Sequence, residues 1–136
     1  MLNFAIQTAH DAGRILNPMI VDGQIYGGTA HGIGGTLYEE FRYNEDGQLV
    51  TGSFMDYLCP TATETPQLTV DHLETPSPFS LLGAKGLGEG NSMSAPAALA
   101  NAVSDAMRPL GLNINELPIK PSALYSAVHE REEDAQ

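Results

Sequence analysis

Apolar and polar positions divide the chain into short segments. Leu2 to Thr8 form an apolar run closed by Asp11 and Gly13, which reads as a strand entering a turn. A helix start follows at Asn17, a favoured N-cap residue, with Pro18 placed where a missing N–H costs nothing. Tyr26, Ala30, Ile33, Leu37 and Phe41 then recur at spacings of 4, 3, 4 and 4, predicting one buried helical face. Asp46-Gly47, between Phe41-Arg42-Tyr43 and Gln48 to Thr51, predicts a hairpin tip. Ser53 to Leu58 reads as a further strand, and Leu68 to Leu73 alternates imperfectly, as a half-buried strand does. From about Ala95, capped by Ser94 with Pro96 in the first turn, a second helix buries Leu99, Ala102 or Val103, Ala106 and Leu110. Pro109 and Gly111 stop it. A last helix is expected over 122–130, with Leu124 and Val128 inward.

These elements amount to one α+β unit with four or five strands in a small mixed sheet and about three helices. The expected domain spans 1–130, followed by a solvated acidic tail over 131–136. Two glycine clusters interrupt the pattern. Six glycines lie between Gly23 and Gly35 in the first helix, each costing roughly 0.5–1 kcal/mol relative to alanine in a helix interior. Something must therefore approach that backbone closely, either another element of the fold or a bound ligand. The second cluster, Gly83-Ala84-Lys85-Gly86-Leu87-Gly88-Glu89-Gly90, runs directly into the second helix.

Composition narrows the function classes. With 136 residues, 42% hydrophobic and 17% charged, the chain has the size and balance of one globular domain. Acids outnumber bases 17 to 6, giving a net charge of -11 that repels a phosphate backbone, so nucleic acid is not expected as a partner. A single cysteine, Cys59, excludes an intrachain disulfide and a paired-thiolate zinc site; it is expected to be a buried small hydrophobe. No run approaches the ~18 apolar residues of a membrane span, and no secretory leader opens the sequence, so a cytoplasmic protein is expected.

Candidate chemistry concentrates in the second glycine cluster. Backbone N–H groups in such a loop can face an anion, and the positive end of the following helix adds to them. The nucleotide motifs fail: Lys85 is followed by Gly86 rather than by Ser or Thr, and the GxGxxG spacing is absent. Glu89 stands among glycines that offer no shielding side chain, and a carboxylate desolvated in a pocket there would make a general base. A solvated glutamate in a loop is the alternative. His31, beside the first helical stripe, reads as a hydrogen-bonded core residue or a ligand contact. His10, His72 and His129 have no second ligand at metal spacing. Glu39 and Glu40 read as solvated residues ending the first helix.

Three separated stretches in order then carry a family resemblance: Gly13 to Phe41, GSFMDYLCPTA from Gly52 to Ala62, and Glu74 to Met107 with AKGLGEG at its centre. Together they resemble the C-terminal end of the molybdopterin-binding large subunit of the xanthine dehydrogenase, aldehyde oxidase and carbon monoxide dehydrogenase family. The resemblance implies a molybdenum-pterin cofactor, often of the molybdopterin cytosine dinucleotide type, and hydroxylation of a carbon centre with water-derived oxygen. It makes Glu89 the base beside molybdenum and lays Lys85, Gly86, Leu87 and Gly88 against the cofactor, with the turn at His31 and Gly32 near the pterin dinucleotide. His31 stands where many aldehyde- and purine-oxidising members carry Gln, and Gly90 replaces a proline common in the purine enzymes, as in the carbon monoxide dehydrogenase-like branch. Family large subunits are several times longer, so the resemblance also implies a partner carrying the remainder of the molybdopterin-binding subunit, and iron–sulfur and FAD subunits beyond it. The other reading is a non-catalytic module, or a truncated relic, that keeps the fold and binds a partner subunit or a small anion at the loop before Ala95.

Overall fold

A computed structural model describes residues 5–134 of the chain. The elements, in order, are β1 (Ile6–Asp11), α1 (Pro18–Leu37), β2 (Leu68–Leu73), α2 (Ser94–Met107), a 3-10 turn (Arg108–Leu110) and α3 (Pro121–Asp134). This is the expected α+β class with three helices. The ladder holds two strands, β1 and β2, paired in parallel from Ile6 opposite Leu68 to Asp11 opposite Leu73. Leu2 to Phe4 of the first expected strand lie outside the described residues. No helix among the described residues is long and apolar enough to cross a membrane.

Two compact units divide the described chain. One combines the described part of Met1–Gly32 with Thr61–Ala95; the other combines Ile33–Pro60 with the described part of Pro96–Gln136. The first buries Ala12, Val21, Ile25, Thr29, Asn91 and Ala95. The second buries Ile33, Thr36, Thr51, Leu99 and Ile119.

Helix α1 starts as its cap predicts, with the Ile20 N–H donating to Asn17 Oδ1 at 3.3 Å. Its buried side chains are Val21, Ile25, Thr29, Ile33 and Thr36, with Gly32 and Gly34 buried between them, whereas Tyr26 and Phe41 of the expected stripe are exposed and Phe41 lies beyond the helix. The stripe is displaced because a threonine here behaves as an apolar residue. Thr29 donates its hydroxyl to the Ile25 carbonyl at 2.8 Å, four residues back, which lets it be buried without an unpaired donor.

The Asp46-Gly47 tip forms, with Gly47 at φ 75° and Asn44 Oδ1 accepting from the N–H groups of Asp46 and Gln48. It is joined by a single antiparallel bridge, Tyr43 to Leu49, rather than by a ladder. Ser53 to Leu58 is a turn and not the expected strand, because the Ser53 carbonyl accepts from both Asp56 and Tyr57 N–H groups and closes the segment on itself. In α2, Leu99 is buried and Val103 half-buried, while Ala102 and Ala106 are exposed, and Leu110 lies beyond the helix, in the 3-10 turn, and is exposed too. Ser94 belongs to the helix and donates to Asn91 Oδ1 at 3.3 Å instead of accepting as a cap. The 3-10 turn ends at Gly111, φ 65°. The backbone of α3 stays helical to Asp134, past the expected end at Glu130.

Candidate functional site

Every residue expected at the site falls in the first unit. There the glycine loop lies beside the carboxyl ends of the two parallel strands, where α/β sheets generally place ligands. Gly13, just past β1, bridges Ala84, and the Lys85 N–H donates to the Ala12 carbonyl at 2.8 Å. The Lys85 ammonium lies 2.8 Å from Asp11 Oδ2, at the last residue of β1. Asp11 Oδ1 also accepts from the N–H groups of Gly13 (2.8 Å) and Thr75 (3.1 Å). The Lys85 ammonium first, and these two amides second, hold the Asp11 carboxyl well below the usual carboxylate range. The backbone N–H and the ammonium of Lys85 are thus used within the fold, and the ammonium is the clasp that fixes the root of the loop.

The far end of the loop is fastened by Asn91, which is 4% exposed. Its Nδ2 donates to Thr29 Oγ1 at 2.7 Å, and its Oδ1 accepts from Thr8 Oγ1 at 3.1 Å, so one amide ties the loop to α1 and to β1. Gly28 lets α1 come this close, since a Cβ there would lie 3.1 Å from the Ser92 nitrogen and 3.2 Å from Asn91 Cβ. Gln24, one turn earlier, donates Nε2 to the Gly88 carbonyl at 3.2 Å. Gly90 packs against the sheet, where a Cβ would stand 2.7 Å from His10 Cε1.

Glu89 is exposed, and its carbonyl accepts from Ser92 Oγ at 3.0 Å. Its backbone is therefore held between Gln24 on one side and Asn91 on the other while its carboxylate faces outward. Gly86 and Gly88 are exposed as well, and a Cβ on either would meet nothing within 4 Å. Neither has the positive φ that would itself require glycine. Gly23 and Gly27 on α1 are equally open. His31 is exposed, not in the core as one reading held, while Gly32 is buried. Seven residues separate Gln24 from His31, two helical turns or about 10 Å along one face. The structure thus joins Lys85, Gly88 and Glu89 through one braced loop and leaves His31 further along the same helix face.

Other expectations shift. Cys59 is exposed rather than buried. Glu39 and Glu40 are half-buried and paired: Tyr57 donates its hydroxyl to Glu39 Oε2 at 2.6 Å, which raises the tyrosine's own pKa, and Lys120 Nζ lies 2.5 Å from Glu40 Oε2. Among the described residues no three His, Cys, Asp or Glu side chains are grouped to hold a metal ion. Sequence reasoning passed over Gln24, Thr29 and Asn91. A polar residue at a buried helical position, Thr29, facing an Asn just before a helix start was the available signal.

With this geometry in place, the comparisons identify the class. Residues 4–66 match the molybdopterin cofactor-binding domain family. The large subunit of nicotine 6-hydroxylase from Paenarthrobacter nicotinovorans is 45% identical over 90% of this chain and 15% of its own length. The carbon monoxide dehydrogenase large chain of Afipia carboxidovorans is 40% identical over 79% of this chain and 13% of its own. Quinoline 2-oxidoreductase from Pseudomonas putida 86 superposes with a TM-score of 0.89 at 48% identity, over 92% of this chain and 16% of that one. The chain belongs to the xanthine dehydrogenase, aldehyde oxidase and carbon monoxide dehydrogenase family and corresponds to part of its molybdopterin-binding large subunit. It spans about 15% of the length of the curated relatives it matches.

Proposed function

We propose that this chain forms one wall of a molybdenum-pterin site in an oxidoreductase that hydroxylates a carbon centre, with Glu89 as the base. The observation that carries this reading is the pair of open glycines, Gly86 and Gly88, beside an exposed Glu89 on a loop braced at both ends. Neither backbone conformation nor packing within the chain asks for glycine at these two positions. A flat ligand lying on the backbone would ask for it, because any side chain would hold the ligand off the loop amides.

The residues fit such a group by contact rather than by ligation. Lys85 is engaged with Asp11, so an anionic cofactor would be met by the N–H groups around Gly86 to Gly88 and by the N-terminal end of α2. The first turn of α2 carries no acidic residue, although the chain has 17. That keeps its positive end clear for an anion. His31 and Gly32, further along α1, would approach the dinucleotide end of a cytosine-type pterin. When bound, the cofactor supplies the redox couple and the water-derived oxygen. Glu89 would take the proton released as that oxygen bonds to the substrate carbon, and the Gln24 and Asn91 hydrogen bonds would hold its backbone in register. A polypeptide carrying the remaining cofactor contacts, and iron–sulfur and FAD subunits to carry electrons onward, would complete the enzyme.

Glu89→Gln tests the role. In the complex isolated with this chain from its own cells, turnover is expected to fall by roughly 10²–10⁴-fold with molybdenum content unchanged. Retained turnover would remove Glu89 from the chemistry. A complex without molybdenum or pterin would favour the non-catalytic module.

A further inference from the structure

Gly90 follows Glu89 and closes its turn, with the Gly90 N–H donating to the Leu87 carbonyl at 3.1 Å. Its φ is not positive, so conformation alone would admit another residue, but the space around it would not. A Cβ at Gly90 would meet His10 Cε1 at 2.7 Å, Leu87 Cδ1 at 2.8 Å and His10 Nε2 at 3.1 Å. The turn that carries Glu89 therefore rests directly on an imidazole.

That imidazole belongs to a packed layer. His10 stands opposite His72 in the parallel ladder. Both lie on the sheet face that α1 and the glycine loop cover, where Thr8 bonds Asn91 and His72 Nε2 lies 2.8 Å from Asp22 Oδ1. Adjacent strands run about 4.8 Å apart, which sets the two histidines side by side. His72 Nδ1 is buried without a hydrogen-bond partner, so that ring is tethered at one nitrogen and otherwise fixed by packing. The half-buried His10 side chain makes no hydrogen bond or ion pair among the described residues, and it acts on Gly90 by its bulk. A row thus runs from Asp22 on α1 through His72 and His10 to Gly90, one residue from the proposed base.

We propose that His10 is a positioning residue for Glu89, its ring setting how close the Leu87–Gly90 turn lies to the sheet. This deepens the reading above and rests on it. Gln24 and Asn91 hold the loop on either side through hydrogen bonds, which tolerate a few tenths of an ångström. Contact between close-packed atoms resists compression far more steeply. Displacement of a reacting group by about 1 Å can cost on the order of 100-fold in rate, so a fixed support under this turn bears directly on proton transfer.

The test uses the assembled, molybdenum-bearing enzyme that includes this chain, with His10→Ala, Gly90→Ala and the two combined, each read by kcat, KM, molybdenum content and melting temperature. His10→Ala removes the support, so kcat is expected to fall on the order of 10-fold or more at unchanged KM and molybdenum content. His10→Gln, which keeps much of the bulk, should lose less. Gly90→Ala drives a methyl group into the ring and should lower both kcat and melting temperature. Adding His10→Ala to it vacates the space that the methyl group needs, so the double variant should recover part of both. A histidine serving stability alone would lower the melting temperature without the loss of kcat, and its removal would add to the Gly90→Ala loss. The proposal is overturned if His10→Ala leaves kcat intact, if kcat falls only in proportion to molybdenum, if His10→Gln loses as much as His10→Ala, or if the two alanine substitutions are additive. Glu89→Gln separates this from the functional reading. An inactive Glu89→Gln enzyme beside a fully active His10→Ala one would keep the base and sink the positioning role; an active Glu89→Gln enzyme would sink both.

Discussion

Helix α1 and the loop before α2 are both dense in glycine, and they use it for different ends. In α1 the glycines sit in an ordinary helix, where each is a cost, and Gly28 repays it within the first unit by admitting the Asn91–Ser92 backbone. In the loop, Gly83 is required by its φ of 75° and Gly90 by the nearness of His10, whereas Gly86 and Gly88 answer to nothing inside the chain. A count of glycines does not separate these cases; the space around each absent Cβ does. Glycines that the fold itself requires mark where the site is braced, and those it does not require mark where something else lies against it.

Substitution at a required glycine should have the largest effect. Gly13, at φ 64°, faces the Gly83 carbonyl so closely that a Cβ would overlap it. Gly13→Ala should destabilise the chain by about 2–3 kcal/mol, lowering its melting temperature by roughly 10 °C. A melting curve unchanged by that substitution would mean the junction of β1 with the loop gives way easily. Asn91→Ala comes next. Removing the amide leaves the Thr8 and Thr29 hydroxyls without the partner they share, at a cost of about 1–3 kcal/mol in denaturant unfolding.

How far the sequence reveals this follows the same division. The Asn17 cap, the Asp46-Gly47 tip and the β2 strand could be read because each is fixed by residues within a few positions of one another. The buried stripe of α1 could not, because large size pointed to Tyr26 and Phe41 while burial went to Thr29, which also accepts from Asn91, and to Thr36, whose carbonyl accepts from the Ile119 N–H. Ser53 to Leu58 looked like a strand from its side chains, yet Ser53 closes it as a turn. At the site, the loop glycines and Glu89 stood out as a local cluster. The clasp of Lys85 with Asp11 and the hub at Asn91 span 74 and 83 residues of sequence, and no spacing rule reaches that far.

At an open glycine the sign should reverse. Gly27→Ala meets nothing within 4 Å, so the isolated chain should gain up to about 1 kcal/mol from helix propensity. If the open face receives the pterin, the same substitution should reduce molybdenum content in the assembled complex. Stabilisation with molybdenum content intact would break the proposed division between required and open glycines on α1. Gly88→Ala, on the loop, asks the same question where helix propensity plays no part.

The smallest effect concerns the clasp, and pH reads it. Asp11 ionises more readily in the folded chain than its ordinary value of 3.8, because Lys85 and two amides stabilise the carboxylate. The unfolded chain therefore binds the proton more tightly. Stability from this group is fully present above pH 3.8 and is lost as pH falls through the lower folded value. Asp11→Asn should lower stability at neutral pH modestly, since the pair is partly solvated, and should flatten the acid side of the stability curve. It should not abolish that slope. Glu64, bonded by Thr61 and Thr63, is lowered from 4.5 to about 2 and contributes in the same direction over an overlapping window. Adding Glu64→Gln should remove the part that Asp11→Asn leaves. Were the slope to vanish with Asp11→Asn alone, the Thr61–Glu64 turn would be contributing nothing; were it to survive both changes, the acid sensitivity would lie outside the loop's root.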